Sequence, residues 1–299
     1  MTVVSSAVST DERLIRSLRP VLEAAAPLPG EAVHAEALHQ LCLADGLLEL
    51  LDWSRQGLPA DPLACMWLGS LRWHRLMTGR FPEGAPEPPP READRLLGPA
   101  FAPGAPGRTA LAEHSGSSSL AGLASGEMGH RSSPNQPEAD DAAALLRVVP
   151  IGLVPYVEQE RRADWAEQAA SLTHGAASLQ RRARRLAALF TRAASGRSAE
   201  QQAHDESSGD ADGLHTELEE ILQDADHLTA TVLRRQLAAA ARVAASDEQN
   251  PVYDSDLIST QTREPWTEAP TPQEATQSAL RGAVDRLAEQ WERVTDPQY

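Results

Sequence analysis

The chain contains no lysine: all 27 of its basic residues are arginine. Schiff-base chemistry on a lysine amine and a phosphate-binding loop that relies on lysine are therefore excluded. Aromatic residues are scarce, with three Phe, three Tyr and six Trp among 299 residues. A core must then be built from Leu, Ala and Val, which suits packed helices better than sheets. Only two cysteines occur, Cys42 and Cys65, each inside an apolar helical pattern. Buried thiols are the expected reading, ahead of a disulfide or a metal site. No apolar run approaches membrane-spanning length and no secretory signal opens the chain, so a soluble cytoplasmic protein without membrane contact is expected. The formal net charge of −16 opposes association with DNA, RNA or anionic lipid, and no nucleic-acid partner is expected.

What is present points to helices. Hydrophobic residues make up 41% of the chain, and Ala-, Leu- and Arg-rich segments recur at helical spacing while strand-type alternation is almost absent. The fold class is read as all-α. Residues 1–30 form a tail and an N-terminal helix, opened by a capping box at Ser9–Glu12 and interrupted by Pro20. Residues 31–195 form the helical core. Within it one helix covers about Glu31 to Arg55, and another starts at Asp61-Pro62 and stops at Gly79. A Pro/Gly-rich connection spans 81–108, with a short helical piece near Glu92–Leu97. Two further helices follow Pro155 and run to about His174 and Ala194. Residues 196–213 read as an acidic linker, and 214–246 as a single amphipathic helix completing the core. Residues 247–272 lack any apolar period and read as disordered, and 273–299 carry a last helix with Leu280, Val284, Leu287, Trp291 and Val294 along one stripe.

The most informative stretch lies between Ser115 and Gly175. A Gly/Ser-rich segment contains Gly126-Glu127-Met128-Gly129, then a polar, proline-bearing loop leads through Asp140-Asp141 to Arg147-x-x-Pro150-x-Gly152-Leu153, and Thr173-His174-Gly175 comes after it. Upstream, His34-Ala35-Glu36-Ala37 opens a helix that continues into Asp45-Gly46-Leu47. In this order the segments resemble the ADP-ribosylglycohydrolase family, which includes the dinitrogenase reductase-activating glycohydrolases. The resemblance covers about residues 31–195 and is that of a shortened, substituted member. It implies an all-α orthogonal multi-helix bundle, and an ancestry of magnesium-dependent hydrolysis of N- or O-glycosidic bonds to ADP-ribose.

The same resemblance shows where this chain departs. Active members place Asp-Asp-Thr oxygens on a pair of metal ions, whereas Ala35, Glu36 and Ala37 stand at those positions here, leaving one carboxylate. Magnesium requires hard oxygen donors in near-octahedral geometry, which alanine cannot supply. The C-terminal Asp-x-Asp-Ser/Thr motif has its nearest counterpart in Asp254-Ser255-Asp256, followed by Leu257 in place of a hydroxyl residue. Glu36, Asp254 and Asp256 are thus the only metal-ligand candidates, Glu36 is a vestigial catalytic position, and no cofactor is expected unless an active site retains magnesium. Residues that could still line a ligand cleft are Gly126, Glu127, Met128, Gly129, Asp140, Asp141, Arg147, Thr173 and His174. Arg147 suits either a phosphate or a structural salt bridge.

Other charged features have ordinary readings. Arg181, Arg182, Arg184 and Arg185 fan over the polar side of a helix. His204, Asp205, Asp210, Asp212 and His215 match no ligand spacing, and no nucleophile elbow supports a Ser-His-Asp triad around His34, His39 or His74. The expected function is a catalytically impaired ADP-ribosylglycohydrolase-like protein that binds ADP-ribose, an ADP-ribosylated protein or another protein partner. An active hydrolase with a rearranged magnesium site and a purely structural protein that pairs or oligomerises through its terminal helices are the alternatives.

Overall fold

The computed structural model describes residues 8–196, 210–249 and 271–296. Among these residues there are no β-strands, only two isolated bridges (Val33 with Leu111, and His130 with Ser133). The architecture is all-helical, as the composition implies. Helices α1 (Thr10–Glu23), α2 (Ala35–Arg55), α3 (Pro62–Thr78), α4 (Glu92–Phe101) and α5 (Ser117–Leu123) come first. A central 3-10 segment, Ala142–Leu153, precedes α6 (Gln159–Ser171) and α7 (Ala177–Ser195). Then come α8 (Asp210–Ile221), α9 (His227–Gln249) and α10 (Pro272–Thr295).

Local chemistry sets many of these limits. Ser9 caps α1 by accepting from the Glu12 amide, and Asp61 caps α3 ahead of Pro62, while Gly79 closes α3 in the left-handed conformation. Pro20 does not divide α1: it falls in the last turn, where it forfeits a single helical bond to the Arg16 carbonyl. The expected single helix over 214–246 is two helices. Asp224 adopts a left-handed backbone, and the Asp226 carboxylate accepts from the amides of Leu228 and Thr229, restarting the helix as α9. The capping carboxylate here outcompetes the continuous apolar period. Part of the expected linker, Asp210–Gly213, belongs to α8. Most of the stretch expected to be disordered, residues 250–270, lies outside the described residues, as do His204 and Asp205.

The centre of the molecule is the 3-10 segment, every residue of which is buried. It packs against α2, α6 and α7. The last helix buries Leu280, Val284, Leu287 and Trp291 against α1, α2 and α4, so its apolar stripe is covered by the domain itself. Helix α2 is buried on all sides over most of its length, which explains its nearly continuous apolar sequence.

Helices α2 and α3 cross at unusually close range. A Cβ on Gly46 would lie 2.5 Å from the Cys65 carbonyl oxygen, and one on Gly69 would lie 2.6 Å from that of Cys42. Each cysteine backbone thus occupies the space vacated by the opposite glycine. Both thiols are free and buried. Gly46→Ala and Gly69→Ala are each expected to destabilise by roughly 1–3 kcal/mol, because a backbone clash outweighs the ~1 kcal/mol helix-propensity gain. Urea denaturation of the single variants checks this, and a stabilised variant would contradict the crossing.

Candidate functional site

Glu36 lies in the first turn of α2, whose N-cap is His34: His34 Nδ1 accepts from the Glu36 amide at 3.0 Å. His34 Nε2 sits 3.2 Å from Thr229 Oγ1, and Thr229 also bonds Asp226. The starts of α2 and α9 are thereby tied together. The Glu36 side chain is 1% exposed and points inward.

Its carboxylate is fully engaged. Glu36 Oε2 accepts from His39 Nδ1 at 3.0 Å, one helical turn away, and from the Arg147 guanidinium at 3.4 Å. Arg147 is 0% exposed and donates further to Ser119 Oγ at 2.8 Å, to Thr173 Oγ1 and to the carbonyls of Ala169 and Ala170 at the end of α6. His39 stacks on the indole of Trp73, with ring centroids 4.2 Å apart and planes 5° from parallel. Its Nε2 lies 2.9 Å from Ser70 Oγ. Trp73 in turn donates to the Ala35 carbonyl at 3.0 Å.

The electrostatics follow from this packing. Burial alone raises the Glu36 carboxyl, but the facing His39 and Arg147 outweigh it and hold the group well below the ordinary carboxylate range. Burial also lowers the Arg147 guanidinium, and Glu36 pulls it back up; arginine stays charged in such a setting. Burial lowers His39 to about 4, against the opposing pull of Glu36, so His39 is neutral at pH 7. The network then assigns its proton to Nδ1, donating to Glu36.

The network continues through Thr173 and His174. Thr173 Oγ1 accepts from Arg147 and lies 2.6 Å from His174 Nδ1, while His174 Nε2 lies 2.9 Å from Ser118 Oγ. Both ring contacts depend on the His174 tautomer, since the threonine hydroxyl that accepts from Arg147 can either donate to or accept from Nδ1. Burial and the nearby Arg147 lower His174 to about 3. His174 is therefore neutral at pH 7, and its Nδ1 is oriented by a threonine hydroxyl rather than by a carboxylate.

Of the cleft candidates, then, Arg147, Thr173 and His174 come together with Glu36, but all four are buried inside the bundle. The others lie elsewhere. Gly126 and Gly129 abut the carbonyls of Glu83 and Ser171, so their lack of a side chain serves chain-to-chain packing. Glu127 is exposed and Met128 half-buried against the core. Asp140 and Asp141 are both at the surface; the Asp140 carbonyl accepts from Arg182, and Asp141 caps the 3-10 segment through the Ala143 amide. Asp254 and Asp256 fall outside the described residues.

Five participants escape the motif reading: His39, Ser70, Trp73, Ser118 and Ser119. The Glu36/His39 spacing of three residues on one helix is a signal that the sequence does carry. Asp45, in the Asp-Gly-Leu element, is also buried and is paired with Arg91 Nε at 2.8 Å; burial raises its carboxyl despite that cation.

This donor set does not suit a magnesium pair. Among the described residues one carboxylate stands at the first metal position, a guanidinium already neutralises it, and Ala35 and Ala37 flank it. Among the described residues no group of three or more His, Cys, Asp or Glu side chains gathers to hold a metal.

The sequence pattern of the ADP-ribosylglycohydrolase family matches residues 8–294, and the chain belongs to that family. The match takes in the N-terminal helix and the C-terminal third, correcting the narrower span of about 31–195 drawn from motifs alone. No curated protein and no solved structure matches the chain.

Proposed function

We propose that this chain is a catalytically impaired member of the ADP-ribosylglycohydrolase family that keeps the helical scaffold for binding a ligand or a protein partner. One observation carries this reading: the sole carboxylate left at the family's first metal position is sealed in a buried ion pair with Arg147. The guanidinium supplies the positive charge that the carboxylate needs, and it does so with no exchangeable coordination position for water or substrate. Turning Glu36 outward would strand a buried arginine, which is strongly unfavourable. The same reading assigns the protein no metal cofactor. Cytoplasmic residence belongs to the proposal as well and is supported by the two unbridged thiols. Among the described residues no helix is long and apolar enough to cross a membrane.

Two measurements test the proposal. Calorimetric titration with ADP-ribose should give the same isotherm with and without millimolar Mg²⁺, and Mg²⁺ alone should give no binding heat. Incubation with ADP-ribosylated arginine or serine peptides should release no ADP-ribose above the uncatalysed rate. Magnesium-dependent release would overturn the reading.

A further inference from the structure

A groove of about 1240 Å³ opens at the far end of α2, where that helix meets the start of α3, the loop entering α6 and the end of α10. At 1.5 Å per residue, Leu50 on its wall is roughly 20 Å along the helix from Glu36. The groove is therefore separate from the buried cluster, and its capacity to bind is independent of any chemistry that cluster retains.

Its walls combine two kinds of surface. Leu51, Trp165 and Val294 offer apolar contact, and Tyr156 stands in the wall at 59% exposure. Tyr156 has φ of +59°, a conformation rare for an aromatic residue. It is held there by its amide donating to Asp11 at 2.8 Å and its hydroxyl donating to the Thr295 carbonyl at 3.0 Å. These bonds pin the start of α1 and the end of α10 to one corner and fix the ring in place. Around the apolar surface stand four carboxylates, Asp61, Glu158, Asp164 and Asp296, against two guanidiniums, Arg55 and Arg161. Asp164 is shared with Arg184. Glu158, exposed at the start of α6, makes no capping bond, and its carboxylate has no partner among the described residues.

We propose that this groove binds a cationic and apolar segment of another protein, a stretch that places an arginine or lysine beside a large aliphatic side chain. The cation would lie over the fixed Tyr156 ring within the field of Glu158, and the aliphatic group would rest on Leu51, Trp165 and Val294. Acid in excess of base selects a cation over a phosphate or an acidic peptide. The volume exceeds the usual ~300–1,000 Å³ of small-molecule sites and suits a peptide. A second copy of the chain is a poorer occupant. Three of the four arginines in its run on α7 are already engaged: Arg182 with the carbonyls of Asp140 and Gln223, Arg184 with Glu160 and Asp164, and Arg185 with Glu220. Arg181 stands exposed beside them. Two chains of net charge −16 also repel.

The test uses the full chain and three fluorescein-labelled decapeptides, composed of Arg/Leu/Gly, Arg/Ser/Gly and Glu/Leu/Gly, read by anisotropy. The Arg/Leu peptide should bind at least ~10-fold tighter than either of the others. Glu158→Arg should weaken it by about 5-fold or more, whereas Glu113→Arg, the same charge change at a residue 90% exposed and outside the groove, should leave it unaltered. Circular dichroism confirms that both variants fold. Equal loss in the two variants would reduce the effect to net charge and overturn the proposal. So would equal binding of the Glu/Leu peptide, no binding at millimolar protein, or a concentration-dependent dimer that Glu158→Arg dissociates.

Discussion

Arg147→Met is expected to destabilise the protein by roughly 3–5 kcal/mol, the usual cost of removing one partner from a buried ion pair. The loss has identifiable parts. Glu36 keeps His39 and Ser119 but loses its guanidinium, while Ser119, Thr173 and the carbonyls of Ala169 and Ala170 lose a donor. Methionine fills a similar volume, so the effect is one of charge and hydrogen bonding more than of a cavity. The double variant Glu36→Gln/Arg147→Met should recover about half of the loss, because no uncompensated charge remains. The pH dependence has a definite sign. With Arg147 present, Glu36 has a depressed folded pKa, so its stabilisation is complete above the unfolded value of ~4.3 and fades only below it. Without Arg147 the carboxyl loses one of the groups that offset burial and its folded pKa moves up; once that value passes the unfolded one, the penalty grows as pH increases above ~4.3. Urea midpoints at pH 4.5 and 7.5 measure this; an equal penalty at both would show that Arg147 acts through its neutral hydrogen-bond partners and its packing and not through the charge of Glu36.

The second large effect is acid sensitivity in the wild-type chain. His39 titrates at about 4 and His174 at about 3 in the folded state, against ~6.5 unfolded. Below pH 6.5 the unfolded chain takes up protons that the folded chain refuses, so stability falls with pH until the folded values are reached. Each histidine contributes up to ~1.4 kcal/mol per pH unit, giving a loss on the order of 3 kcal/mol between pH 6.5 and 5. His34 and His74, also lowered by burial, act in the same direction. His174→Gln should flatten the slope by about one proton. A profile unchanged by that substitution would mean that His174 is protonated within the fold.

The fold is largely legible in the sequence because its helix ends carry short-range signals. Ser9, the Asp61-Pro62 pair and Gly79 each act within a few residues, so sequence alone locates them. The α8–α9 break is not legible, because Asp226 caps a helix in the middle of an unbroken apolar period, and periodicity is blind to a local change of direction. At the site, the substitution of Ala35 and Ala37 is visible at once. The fate of Arg147 is not: phosphate contact and structural salt bridge stay open because its partner Glu36 is 111 positions away, and only packing of the central segment against α2 brings them together. The glycines mislead for a related reason. A backbone that must approach something closely looks the same in sequence whether the neighbour is a ligand or, as at Gly129, another part of the chain.

The glycine crossing between α2 and α3 also furnishes the molecule with its own opening sensor. Burial pushes the Cys42 thiol well above its ordinary value and Cys65 up to about 11, so neither offers much thiolate to an alkylating reagent while the helices stay in register. Modification must await a local opening that exposes a thiol, and the labelling rate of the native sequence therefore reads how often the packing around these cysteines parts, with no introduced probe.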